Sequence, residues 1–232
     1  IKRELVHAVG TPCSGMLDIK KIKSAGAKAI MKVEAEGEQV VVTTALGEVT
    51  LNKADVLLDK CIMCKGNEYK IADEELGEKL ATPEFKGEKF AGVKAIEAMS
   101  DKERFAFWQQ ELSKCIRCNA CRDICPACTC EQCIFDHPQS PVAGKAYADP
   151  VEEQLFHIIR AYHVAGRCVG CGECGRVCPQ GVKLGLLNMK FMKDINTFFG
   201  PYQAGADATT PAPQVDYKLD DSEVDVAVKG GK

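Results

Sequence analysis

Two stretches of this chain repeat one spacing, Cys115-x2-Cys118-x2-Cys121-x3-Cys125-Pro126 and Cys168-x2-Cys171-x2-Cys174-x3-Cys178-Pro179. Thiols three residues apart on a tight turn converge on one centre, so the chain around each ladder has to wrap a metal cluster. This is the register that holds 4Fe-4S clusters. Where two such ladders occur together, the fourth cysteine of each serves the other cluster. That rule predicts one site of Cys115, Cys118, Cys121 and Cys178, and a second of Cys168, Cys171, Cys174 and Cys125. Zinc fits the pattern less well, because two CxxC pairs complete its four ligands and it gains nothing from a third interval or a trailing Cys-Pro.

Fourteen cysteines in 232 residues exceed any packing need. Disulfide frameworks belong to small secreted chains, so here the thiols are expected to stay reduced for metal, in a cytoplasmic and anaerobic setting. The sequence starts at Ile1 without a basic, apolar leader, and no stretch approaches the ~20 apolar residues of a membrane helix, so no membrane insertion is expected. A net charge of -3 gives no general attraction to nucleic acid or anionic lipid. Partners must therefore be recognised locally.

The expected fold class is α+β, a small β-containing N-terminal unit followed by an α-helical ferredoxin-type domain with two 4Fe-4S clusters. Residues 1–75 form the first unit in this reading. It has a strand over Leu5 to Gly10, a turn at Thr11 to Gly15 and a short helix capped by Asp18 and stopped by Gly26. Strands follow over Ala29 to Val33, Gln39 to Thr44 and Glu48 to Leu51, separated by glycine turns. Residues 76–99 belong to a charged, glycine-punctuated connector with one short helix.

Residues 100–200 are expected to carry the ladders between helices. Ser100-Asp101-Lys102-Glu103 is a capping box, and Phe105, Trp108, Leu112 and Cys115 follow at helical spacing. Asp149-Pro150 starts a second helix, which carries Leu155, Ile158, Ile159 and Tyr162 on one face and ends near Gly166. A third helix spans about Leu184 to Phe199 and stops at Gly200-Pro201. The 42 residues between the ladders (126 to 167) are too many for a compact strand-built ferredoxin. Residues 201–232 read as an extended tail rich in Ala, Thr, Pro, Gly and acidic residues.

Six cysteines remain: Cys13, Cys61, Cys64, Cys128, Cys130 and Cys133. Four of the six are expected to hold a third 4Fe-4S cluster. Zinc is the rival for the CxxC pair, and burial as small apolar residues is the rival for Cys128 and Cys130. The basic residues beside the ladders, Lys114, Arg117, Arg122, Arg167, Arg176 and Lys183, read first as ordinary solvated charges and second as groups that favour cluster reduction or dock an acidic partner. No catalytic constellation is visible: His7, His137, His157 and His163 stand apart, and neither a GxGxxG nor a phosphate loop occurs.

Val9-Gly10-Thr11-Pro12-Cys13 with Cys61-Ile62-Met63-Cys64 resembles the carboxy-terminal part of the β subunit shared by deazaflavin-dependent hydrogenases and formate dehydrogenases. The resemblance implies that Cys13, Cys61 and Cys64 are cluster ligands, with a fourth from Cys128, Cys130 or Cys133. The run from Cys125 to Cys133, with the helices around both ladders, is similar to iron–sulfur subunits that accompany formate dehydrogenases, soluble hydrogenases and heterodisulfide reductases. The FAD-holding part of the deazaflavin enzymes is not recognisable, so flavin stays unassigned. The implied function is an electron-transfer subunit between a catalytic large subunit and another carrier. The alternative is a flavin- or deazaflavin-linked β subunit with its own cofactor site.

Overall fold

The structure is a computed structural model that describes residues 3–62, 64, 72–78, 80, 88–137, 150–207 and 209–213. The chain divides into two compact units, Ile1–Gly87 and Glu88–Lys232, and mixes helix with small sheets.

In the first unit, strand β1 (Val9–Gly10) is followed by helix α1 (Ile19–Ser24) and strands β2 (Ile30–Glu36), β3 (Gln39–Thr44) and β4 (Gly47–Asn52). Helices α2 (Lys53–Val56) and α3 (Asp59–Ile62) come next, and then strand β5 (Glu74–Glu75). Strands β2, β3 and β4 form an antiparallel meander with β3 in the centre. Val40 and Val42 point from one face of β3 into a core with Ile22, Ala27 and Val56. The β-branched run Gln39-Val-Val-Val-Thr-Thr therefore has one buried and one less buried face, as the period of a strand requires. Asp18 caps α1 by accepting a hydrogen bond from the Lys20 N–H at 2.8 Å, as its position predicts.

The strand expected over Leu5 to Gly10 is much shorter. Arg3–Leu5 is a 3-10 turn, in which the Arg3 guanidinium reaches the Val6 carbonyl at 2.6 Å and Asp73 at 2.7 Å. Leu5 stays largely exposed, so no apolar face rewards an extended conformation there. Only Val9–Gly10 pairs, in parallel with Glu74–Glu75 at the end of the expected first unit.

The second unit is helical: α4 (Ala91–Glu97), α5 (Asp101–Leu112), α6 (Ala120–Asp123), α7 (Pro150–Val164), α8 (Glu173–Arg176) and α9 (Leu184–Phe198), with a 3-10 turn at Ile134–Asp136. Helix α7 packs against α5 and α9, α4 packs against α9, and the short α6 and α8 pack against each other. The capping box forms, with Ser100 and Glu103 exchanging their hydrogen bonds, a device worth about 1 kcal/mol. The expected cap Asp149 lies outside the described residues.

Helix α7 is turned over relative to its most apolar stripe. Of the expected stripe, Leu155, Ile158 and Tyr162 are exposed and Ile159 packs half-buried on the core, whereas Phe156, Ala161 and Val164 are buried together with the charged or polar Glu153, His157 and Arg160. The buried stripe faces the cysteine ladders, whose thiols offer polar partners that an apolar face would leave unmet. Phe156 anchors it, edge-on to Phe135 with ring centroids 4.6 Å apart.

The first part of the tail is tied down, contrary to a fully extended reading. The Tyr202 N–H donates to Asn196 Oδ1 at 3.2 Å, and Lys89 Nζ donates to Gln203 Oε1 at 2.6 Å. Residues 214–232 lie outside the described residues. Among the described residues no helix is long and apolar enough to cross a membrane.

Candidate metal centre

The two ladders share one backbone path. The residue before each second cysteine is left-handed, Arg117 at φ 54° and Gly170 at φ 72°, and so is the residue after it, Asn119 at φ 62° and Gly172 at φ 71°. Each pair of left-handed residues turns the chain back on itself, so three thiols fall on one side and a one-turn helix, α6 or α8, follows. The second ladder meets this demand with glycine; the first uses Arg117 and Asn119, where strain of about 1–3 kcal/mol per bulky residue has to be offset by contacts. The same turn aims N–H groups at sulfur. The Arg117 N–H donates to Cys115 Sγ at 3.3 Å, and the Gly170 N–H does the equivalent for Cys168.

Around the first ladder, Cys115, Cys118, Cys121 and Cys178 line one cavity, closed by Phe156, His157, Val182 and Leu184. Cys178 thus leaves its own ladder and joins the other three. Around the second, Cys168 lies within electrostatic reach of Cys171 and of Cys125. Cys174 is buried and accepts a hydrogen bond from Asn188 Nδ2 at 3.3 Å. A Cβ at Gly170 would come within 3.3 Å of Met189 Sδ, so this site is shielded by thioethers. Burial pushes the thiols of Cys115, Cys121, Cys168 and Cys174 up from their ordinary pKa. A metal is what would hold such buried sulfurs as thiolates.

Of the ladder cations, Lys114, Arg167, Arg176 and Lys183 are exposed, whereas Arg117 and Arg122 are half-buried, contrary to the solvated reading. Arg117 is half-buried and stacked: its guanidinium lies 4.0 Å from the Phe156 ring centroid and pairs with the buried Glu153 at 3.2 Å. These contacts explain why Arg117 tolerates its left-handed backbone. Burial pulls the Arg117 pKa down. Cys115, Glu153 and His157 place ligand-type atoms within 4.8 Å of one another at the edge of the first site. Lys114 pairs with Glu111 at 2.5 Å, Arg122 with Asp136 at 2.5 Å and with Asp123 at 3.1 Å, and Arg176 with Glu173 at 2.5 Å. Arg167 donates to the His163 carbonyl at 2.5 Å, and Lys183 lies 5.3 Å from the Phe107 ring centroid.

Sequence reasoning missed Glu153, His157, Arg160 and Asn188. The first three sit at i, i+4 and i+7 of one helix, and a polar stripe at that spacing on a helix next to metal ligands was the available signal.

Of the remaining thiols, Cys128 sits beside Cys125, hydrogen-bonded to it through the side chains. The Cys128 hydrogen bond, with the Ala127 and Cys128 N–H groups, holds Cys125 well below the ordinary thiol pKa, while the same bond drives Cys128 up. Cys133 packs against the core of the helical unit and Cys130 is exposed. In the first unit, Cys61 is half-buried and accepts a hydrogen bond from the Met16 N–H at 3.2 Å, and Cys13 and Cys64 are exposed. Gly15, at φ 95°, adopts a backbone that disfavours a side chain, and a Cβ there would sit 2.8 Å from Leu57 Cδ2 and 3.8 Å from Cys61 Cβ. The turn that carries Cys13 therefore lies against the segment of Cys61.

The donor set fits an iron–sulfur cluster: thiols only at the centre of each site, left-handed turns that converge them, and N–H groups aimed at sulfur. A family profile described as a 4Fe-4S dicluster domain matches residues 111–182. Over 104 residues the chain is 31% identical to the F420-dependent formate dehydrogenase subunit beta of Methanocaldococcus jannaschii, which covers 45% of this chain and 26% of that protein. It is 34% identical over 58 residues to the F420-dependent formate dehydrogenase 1 subunit beta of Methanococcus maripaludis, 25% of this chain and 14% of that one. A probable glycolate oxidase iron-sulfur subunit of Bacillus subtilis is 37% identical over 81 residues, 33% of this chain and 17% of that protein. The chain spans about a quarter or less of the length of these relatives. Cysteine spacing, thiol convergence and these likenesses agree: residues 111–182 are similar to a 4Fe-4S dicluster domain, and the chain is similar to beta subunits of F420-dependent formate dehydrogenases.

Proposed function

We propose that this chain relays single electrons through two 4Fe-4S clusters inside a larger redox complex. One cluster is held by Cys115, Cys118, Cys121 and Cys178, and the other by Cys168, Cys171, Cys174 and Cys125. The observation that carries this reading is the single cavity lined by three thiols of one ladder and the last thiol of the other. A bound 4Fe-4S cluster takes up or releases one electron with little rearrangement, because the added charge spreads over iron and sulfur.

The protein's own part is to hold the potential and the distance. Buried thiolates, N–H groups on Cys115 and Cys168, and the amide of Asn188 on Cys174 stabilise negative charge at sulfur. Phe156, Val182 and Leu184, all buried, give the first site an apolar wall. Similarity to formate dehydrogenase β subunits supports a catalytic subunit of formate dehydrogenase or hydrogenase type at one end. Another carrier or a heterodisulfide-reductase-type module stands at the other end, in a cytoplasmic complex. Cys13, Cys61 and Cys64 contribute to a third cluster in this reading, supported by the packing of the Cys13 turn on the Cys61 segment.

The test is Cys171→Ala in the complex isolated from the native host. One cluster is expected to be lost or degraded and electron flow through the chain to stop, while association with the partner subunits survives. Undiminished electron transfer by this variant contradicts the ligand assignment.

A further inference from the structure

Helix α7 carries a charge that the Arg117–Glu153 pair does not use. Arg160 is only 4% exposed. Its Nη2 donates to the Cys121 carbonyl at 2.8 Å, and its Nε has no hydrogen-bond partner among the described residues. Among those residues no carboxylate forms an ion pair with it. A guanidinium is always charged, and taking it out of water is costly unless a negative charge answers it.

The groups that face Arg160 are thiols, and they come from both ladders. Cys121 of the first and Cys174 of the second belong to one buried cluster with Phe156 of the same helix. Cys125, Cys128 and Cys168 also lie within its electrostatic reach. Neutral thiols would leave the cation unanswered; anionic sulfur from two centres answers it. Asn188 differs in touching Cys174 alone among these sulfurs, so its influence is confined to the second site.

We propose that Arg160 is a positioning residue shared by the two sites: it pins Cys121 through the carbonyl and supplies a fixed positive charge that holds up the reduction potentials of both centres. The inference rests on the two-cluster reading. Each centre becomes one unit more negative when it accepts an electron, so a fixed cation between them favours both reduced states.

The test is an anaerobic potentiometric titration of the full chain, with dithionite as the one-electron donor to each cluster and paramagnetic resonance as the readout. Iron and sulfide are counted first for wild type, R160Q, R160K and N188L. R160Q is expected to make reduction about tenfold less favourable at both centres, a fall of about 59 mV for a one-electron couple. R160K, which keeps the charge, is expected to stay within half that shift, and N188L to move one centre only. A fully loaded R160Q with either midpoint unchanged overturns the proposal. Should R160Q lose iron, R160K decides: full loading with near-native midpoints supports a charge role, and loss of iron or a tenfold fall overturns it. Wild type holding less iron than two clusters require would instead sink the two-cluster reading beneath the proposal.

Discussion

The double variant Cys118→Ala with Cys178→Ala is expected to hold as much iron as Cys118→Ala alone, about four atoms fewer than wild type. The two residues lie in different ladders, yet they line the same cavity, so the first substitution has already removed the cluster that the second would disturb. The paired variant Cys118→Ala with Cys171→Ala should lose both clusters, about eight atoms. If each ladder kept its own fourth cysteine, the outcomes would differ. Cys118 and Cys178 would then serve different clusters, and their double variant would lose about eight. Iron and acid-labile sulfide per folded chain, measured on anaerobically purified variants, separates these cases.

Removal of iron is the second large effect. The core of the helical unit consists of Leu112, Phe135, Phe156, Val182 and Leu184 together with Cys121 and Cys174, and Cys133 and Cys178 pack against it. Much of what these apolar groups surround is the metal site itself, so binding free energy is folding free energy. Stripping iron with oxidant and chelator is expected to abolish roughly half or more of the helical circular dichroism, since the long helices all belong to this unit. The thiols have to lose protons to ligate, and burial raises the pKa of Cys115, Cys121, Cys168 and Cys174. Reloading should therefore release protons and strengthen as pH rises toward the thiol range. An iron-free chain with unchanged dichroism and melting would contradict a metal-built core.

Much of this fold was legible because local chemistry and tertiary structure agree. The β-branched run Gln39 to Thr44 becomes β3; Ser100 and Glu103 form the box they spell; Gly200-Pro201 ends α9 within a residue of the expected place. The ladders were legible at a deeper level, since spacing alone implied a chain that wraps a centre, and the structure brings the four thiols of the first set around one cavity.

The failures share a cause. Helix α7 was read by its most apolar stripe, but Leu155 and Tyr162 face outward while Glu153, His157 and Arg160 are buried. Hydrophobic periodicity assumes an apolar core, and beside a nest of thiols the core is polar. Arg117 was read as a solvated charge for the same reason. The β1–β5 pairing joins segments more than sixty residues apart, and neither Val9-Gly10 nor Glu74-Glu75 carries a strand pattern.

The account stands most directly on one spectrum. Full-length chain purified without oxygen and reduced with dithionite should show two 4Fe-4S signals that broaden each other by spin coupling, with at least about eight irons and eight sulfides per chain. A chain carrying zinc in place of iron, or a single uncoupled cluster, would contradict it.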